Sequence, residues 1–286
     1  MKISVIVSAH NKGRELACAL TGYAAQTRAP DEVIVAQDGT DPAIRAAVAS
    51  ARALGLPVQH LMQEHRGFGK FRAVNRAILV AKGELLLFTD ADCIPRKDYI
   101  ANFVRLIRPG TFLAGGSHIS IPEQYHQQID LREAILDQAL FDYRALRAIP
   151  GFRKGRTRLM RGGVLARVLD LVTQRNAFSG SNSCAYRRDV LAVGGFDEAM
   201  SYGGGDLNLG IRLNNFGIQG VRARHSLVSL HLDHTRSYYC PDKERANHEW
   251  NREVRRYGHT LPRVSQIQQQ VEPLWAPGAF AFANMR

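Results

Sequence analysis

The chain has 286 residues, 45% of them hydrophobic, enough to bury a full core as one large α/β domain or two smaller ones. Its formal charge of +12 favours anionic partners (nucleic acid, an acidic membrane surface or a phosphorylated substrate) and carries no information about fold. No stretch approaches the roughly 18 to 20 apolar residues of a membrane span, and four scattered cysteines (Cys18, Cys93, Cys184, Cys240) without a C-x-x-C pair argue against a zinc cluster or a disulfide framework.

In chain order, ISVIVSA (3–9) is a β-branched run ending in the turn-like HNKGRE. The opening MKISVIVSAHNKG has too short an apolar run for a signal peptide, so a reducing, cytoplasmic setting is expected. Leu16, Leu20 and Tyr23 recur at helical spacing, and VIVAQDGT (33–40) is a second strand ending in Asp38-Gly39. Ile44, Val48 and Ala51 predict a helix closed by Gly55 and Pro57; PVQHLM is a short third strand, and FRAVNRAILVAKG a helix ending at Gly83. ELLLFTDAD then returns to strand. This alternation predicts a mostly parallel sheet with helices on both faces, its strand ends collecting Ser8, His10, Asp38, Asp90 and Asp92. Neither a G-x-G-x-x-G nor a Walker loop accompanies them.

The pair Asp90 and Asp92, at the end of an apolar run and just before Pro95, has two readings. One is a turn, where Asp is common and Pro cannot extend a ladder. The other is a divalent-cation site, since residues i and i+2 of a strand share a face and ligands bind at strand C-terminal ends.

The second half is organised differently. Residues 124–149 read as helical without a clean apolar stripe. GFRKGRTRLMRGGVLARVLDLVTQR carries seven positive charges and one negative, with Leu165, Val168, Leu169 and Val172 on one helical face and Arg161, Arg167 and Arg175 elsewhere. That pattern suits an interfacial helix on anionic lipid; a core-packed helix with a solvated basic face is the competing reading. Glycine-rich loops flank a helix near GDLNLGIRL, and HSLVSLHLDHTRS ends a strand with two histidines.

SVIVSAHNKGREL, EVIVAQDGT, RGFGKFRAVNRAI, GELLLFTDADCIPRKDYI, FSGSNSCAYRRDVLAVGGFDE, YGGGDLNLGIRL and LHLDH occur in an order that resembles the family 2 glycosyltransferases of GT-A fold. More narrowly, they resemble a bacterial branch whose C-terminal half is like that of β-1,4-galactosyltransferases. The resemblance implies a GT-A catalytic domain over 1–240 and a C-terminal tail over 241–286 acting as lid, dimer contact or membrane contact. It implies a nucleotide-diphosphate sugar, UDP-linked, held by Ser8, His10, Asp38 and Asp90. Lys70 and Arg72 are candidates for diphosphate or base contacts, or for an ordinary place on a helix surface. Asp92 and His231 would bind Mn²⁺ or Mg²⁺, with His234 in reserve; both histidines could reach one ion only if the chain turns between them.

Asp206 would be the general base of an inverting displacement, with a helix N-cap as its structural alternative. Relatives commonly read G-G-E-D-x-D/E-L here; this chain has Gly205 and Asn208 where two acids are expected, which puts acceptor recognition in question. The implied acceptor is a glycan or lipid-linked sugar in bacterial surface polysaccharide synthesis, reached from the inner face of the membrane. A pyrophosphorylase would need an N-terminal glycine-rich loop that SVIVSAHNKGREL lacks. A basic nucleic-acid- or anionic-surface-binding protein without transferase activity is the remaining alternative, but the arginine-rich segment lacks interleaved aromatics for base stacking, so no nucleic acid is expected.

Overall fold

β1 (Ile3–Ala9) is apolar toward both faces: Val5 and Val7 point into one hydrophobic layer and Ile6 into the other, each almost fully buried. A strand buried on both sides belongs in the middle of a helix-covered sheet. The computed structural model describes residues 1–116, 118–128, 130–150, 152, 163–172, 177–235 and 239–271. Among these, β1 lies between β2 (Glu32–Asp38) and β4 (Leu85–Asp90) in a seven-stranded sheet of order β3-β2-β1-β4-β8-β6-β9. β3 is Val58–Gln63, β6 Thr111–Ala114, β8 Ser183–Tyr186 and β9 Gln219–Arg222. All pairings are parallel except those of β8, which runs antiparallel to both β4 and β6.

Helices Gly13–Ala24, Pro42–Ala53 and Tyr99–Leu106 cover one face with Leu16, Leu20, Ile44, Val48 and Phe103. Helices Lys70–Val80, Arg187–Ala192, Gly205–Asn215 and Gln266–Val271 cover the other with Phe71, Ile78, Val190, Leu209 and Ile267. Asp41 caps the second helix by accepting from the Ala43 N–H at 2.9 Å, and Pro42 opens it, as an N-terminal signal should. A second sheet, β5 (Cys93–Pro95), β10 (Ser229–Leu232) and β7 (Ile119–Ile121), packs on its own cluster with Leu131, Ile135, Leu146 and Ile149.

Three expectations change. The helix from Lys70 ends at Val80 rather than Gly83, because Ala81 turns extended at ψ 136°. Residues 124–149 form short pieces, Glu123–His126, Arg132–Leu136, Ala139–Phe141 and Tyr143–Arg147, interrupted by Gln138 at φ 65°. Helix Gly163–Val172 buries Ala166 and Asp170 and leaves Leu165, Val168 and Val172 exposed and Leu169 half-buried, so the core-packed alternative for this stripe gives way. Asp170 anchors it by accepting from the His225 N–H and the Ser226 hydroxyl, both at 2.6 Å. Arg161, Arg175 and the tail segment PLWAPGAFAFANM lie outside the described residues. Helix Pro241–Tyr257 packs on Gly205–Asn215, where Asn251 accepts from Asn208 at 2.9 Å and donates to the Gly204 carbonyl at 2.8 Å.

Candidate active site

Strand order 3-2-1-4 places a topological switch beside β1, and ligands bind at such crevices. There Ser8 on β1 is register partner to Asp90 on β4, and its hydroxyl donates to Asp90 Oδ1 at 2.5 Å. Lys70, the first residue of its helix, places Nζ 2.8 Å from the same oxygen. β4 stops at Asp90; Ala91 and Asp92 form a turn and Cys93 starts β5 in the other sheet. The strand alternation expected to aim both acids at one ion therefore does not reach Asp92. Asp90 meets Ser8 and Lys70, whereas Asp92 meets Lys12, His231 and His234.

Asp92 is 4% exposed. His231 Nε2 lies 3.6 Å from its Oδ1 and His234 Nε2 lies 3.2 Å from its Oδ2. β10 ends at Leu232, so the chain does turn between the histidines and brings both to the acid. Burial alone would push the Asp92 carboxyl up, but His234, His231 and Lys12 around it hold it well below the ordinary carboxylate range. Burial pushes the His231 imidazole down, partly opposed by Asp92. His234 Nδ1 lies 2.7 Å from the Thr235 carbonyl, and the hydrogen bond between Asp92 and Nε2 pushes the His234 imidazole up. One carboxylate and two imidazoles offer atoms within 4.8 Å of one another, a mixed O/N set that fits a divalent ion such as Mn²⁺. The Lys12 ammonium, within hydrogen-bond reach of Asp92 and His234, shows that this cradle accepts a cation.

Asp206 sits in the first turn of Gly205–Asn215; the N-cap is Gly204, in the left-handed region at φ 86°, which corrects the alternative that Asp206 itself caps. Its Oδ1 is shielded from solvent and has no hydrogen-bond partner among the described residues. Burial raises its carboxyl, Lys70 lowers it, Asp90 raises it again, and the Gly180 backbone lowers it. A Cβ at Gly180 would come within 2.5 Å of Asp206 Oδ1, so glycine is what leaves the carboxylate room.

The two absent acids have physical replacements. A Cβ at Gly205 would already lie 2.2 Å from the Phe71 ring, leaving no space for a longer side chain. Asn208 is fully buried, accepting from Arg212 Nε at 2.7 Å and donating to Asn251, so it faces the packing of two helices and not the crevice.

Beyond the switch point, His10 Nδ1 lies 2.6 Å from the Asp38 carbonyl and its ring stacks on His65 at 4.6 Å. These rings line a cavity of about 690 Å³ with Asn11, Thr40, Asp41 and Glu64. Asp38 is almost fully buried and receives Gln63 Nε2 at 2.9 Å, the Gly69 N–H at 3.1 Å and His65 Nδ1 at 2.9 Å. It ties the end of β2 to the loop before Lys70. Arg72 donates to Gln63 Oε1 at 3.2 Å and to the Glu64 carbonyl at 3.1 Å. Sequence reasoning missed Lys12, His65, Gly180 and His118, the last contacting Ser181 at 2.8 Å and Ser229 at 2.6 Å while stacking on His231 at 6.0 Å. Only Lys12 left a signal, as a cation in the loop leaving β1.

The fold is that of the GT-A glycosyltransferases. The family model "Glycosyl transferase family 2" matches residues 4–165, more than half of the chain, and the protein belongs to that family. The chain is 27% identical over 281 residues to YfnE of Bacillus subtilis, an uncharacterized glycosyltransferase, covering 86% of this chain and 69% of that one. Among solved structures it is similar to residues 1–349 of S. aureus TarS in complex with UDP-GlcNAc (TM-score 0.58, 16% identity, 88% of this chain and 65% of that one). The chain spans 39% of a longer TarS structure. It is also similar to the mannosyltransferase PcManGT of Pyrobaculum calidifontis in complex with GDP-Man and Mn²⁺ (TM-score 0.56, 16% identity, 98% of this chain and 76% of that one). At these identities the two structures show the fold.

Proposed function

We propose that the protein is an inverting, metal-dependent transferase taking a sugar from a UDP-linked donor. The observation that carries the reading is Asp206: a carboxylate with one oxygen shielded and without a hydrogen-bond partner among the described residues, kept clear by Gly180 and placed within electrostatic reach of Lys70 and Asp90. The base would enter the cavity beside His10 and His65, with Asp38 holding its floor through Gln63 and Gly69. Asp90 with Ser8 would take the ribose, and the diphosphate would run toward Lys70 and Asp92. Arg72 supports this wall through Gln63 and Glu64.

Asp92, His231 and His234 would hold a Mn²⁺ or Mg²⁺ ion, whose positive charge offsets the charge gathering on the leaving diphosphate. Asp206 accepts the proton of an acceptor hydroxyl as that oxygen attacks the anomeric carbon; the bond to the diphosphate breaks and its electron pair leaves with the phosphate oxygen. One displacement from an α-linked donor gives a β-linked product. Burial raises the Asp206 carboxyl, which suits a base that must take a proton near neutral pH.

The acceptor would be a glycan or lipid-linked sugar of a bacterial surface polysaccharide, met at the cytoplasmic face of the membrane. Helix Gly163–Val172 supports this location: Val164 is 80%, Leu171 81% and Val172 71% exposed, on a chain of net charge +12. No described helix is long and apolar enough to cross a membrane. Residues 241–286, whose described part packs on the Asp206 helix, would frame the acceptor side of the catalytic domain. Calorimetric titration with UDP, with and without Mn²⁺, on the wild type and Asp92→Asn tests the donor site. Metal-dependent UDP binding lost in the variant supports the reading; absence of UDP binding under all conditions refutes it.

A further inference from the structure

Lys12 occupies the place a divalent ion would need. Its ammonium bonds Asp92 Oδ2 and lies 2.5 Å from His234 Nε2. The residue is the N-cap of helix Gly13–Ala24, so its backbone is fixed at the mouth of the β1 end. Its side chain is 22% exposed, and the flexible four-carbon stem leaves the charge free to move. A divalent ion bound by Asp92 and His234 would compete for the same carboxylate oxygen and the same place beside Nε2, and at such distances two cations repel strongly.

We propose that Lys12 is a tethered competitor of the divalent cation. It keeps the Asp92–His231–His234 cradle assembled and charge-balanced until a nucleotide arrives, then yields to the ion and pairs with the incoming diphosphate. Without the nucleotide, an entering ion must eject the ammonium from two partners and leave it unpaired beside a like charge. With a diphosphate present, the ejected ammonium has a new anionic partner. Metal and nucleotide then bind with positive coupling, and linkage makes that coupling reciprocal. This rests on the cradle being a metal site, as proposed above.

The test is Mn²⁺ titration followed by the paramagnetic resonance signal of the free ion, with and without UDP, on the wild type, Lys12→Met and Lys12→Gln. Asp92→Asn serves as the control that removes the cradle. In the wild type UDP is expected to tighten Mn²⁺ binding by about tenfold or more. In both Lys12 variants Mn²⁺ alone should bind about tenfold tighter than to the wild type, and the gain from UDP should shrink. The glutamine keeps a polar chain of similar length, so it stands in if the methionine fails to fold. Variants that bind Mn²⁺ alone no tighter than the wild type, while the UDP–Mn²⁺ complex forms normally, overturn the role of Lys12 and leave the metal site intact. No Mn²⁺ binding to any protein, with or without UDP, overturns both.

Discussion

The Phe71 ring fills the space in front of Gly205, where a Cβ would come within 2.2 Å of the ring. The resemblance read from the sequence implies a glutamate at this position, and here the aromatic and the glycine exclude it together. Gly205→Glu is expected to destabilise the protein by about 3 kcal/mol through overpacking. Phe71→Ala should cost about 3 to 5 kcal/mol by leaving a cavity, and the double variant should lose less than the sum by about 1 kcal/mol or more. A urea-unfolding cycle over the four proteins measures the coupling; simple additivity would show that the two positions do not compete for one space.

Asp206→Asn is expected to reduce turnover by about 10² to 10⁴ while leaving UDP–Mn²⁺ affinity unchanged. The carboxylate must be ionised to accept a proton, so turnover should fall as pH drops through its raised folded pKa. Lys70 pulls that value down, so Lys70→Met should move the acid limb of the pH profile upward. A carboxyl raised above its unfolded value binds more protons when folded, so its ionisation costs stability between the unfolded and folded values as pH rises. Asp206→Asn should consequently show no loss of Tm at neutral pH. A thermal scan beside the kinetics checks this, and a fall in Tm would mark Asp206 as structural.

Arg212 is fully buried, donating to Asn208 at 2.7 Å and to the Val193 and Gly195 carbonyls at 2.5 Å. Burial pushes its guanidinium down to about 9, partly opposed by Asp197. Arg212→Leu would strand two carbonyls and the Asn208 amide oxygen, at a cost of about 3 kcal/mol. Denaturant midpoints decide it: a loss below about 1 kcal/mol would mean that water replaces the guanidinium.

Leu171 and Val172 are 81% and 71% exposed on a helix anchored at its other face by Asp170. Leu171→Ser with Val172→Ser should leave Tm within about 1 °C, since neither side chain is packed. The pair should cut co-sedimentation with phosphatidylglycerol vesicles by tenfold or more, on the scale of apolar area withdrawn from water. Wild-type binding should weaken with added salt. Equal sedimentation of both proteins would take this helix out of the membrane contact.

Local rules reach far along this chain. The β-branched run of β1, the helical spacing of Leu16, Leu20 and Tyr23, and the ordered motifs around Asp38 and Asp90 determined the α/β architecture and the family, because burial on a sheet or helix face imposes a period that a sequence shows directly. Which groups meet across the crevice was decided only by the tertiary fold. Lys12 and Asp92 stand 80 positions apart, and His234 a further 142, joined where β1 ends and two sheets abut. The turn at Ala91 and Asp92 parts the two acids because Cys93 must pair with His231 in the second sheet. The space before Gly205 belongs to Phe71, a residue 134 positions earlier. Contacts at such separations depend on chain reversals and close packing, and these leave no period in the sequence.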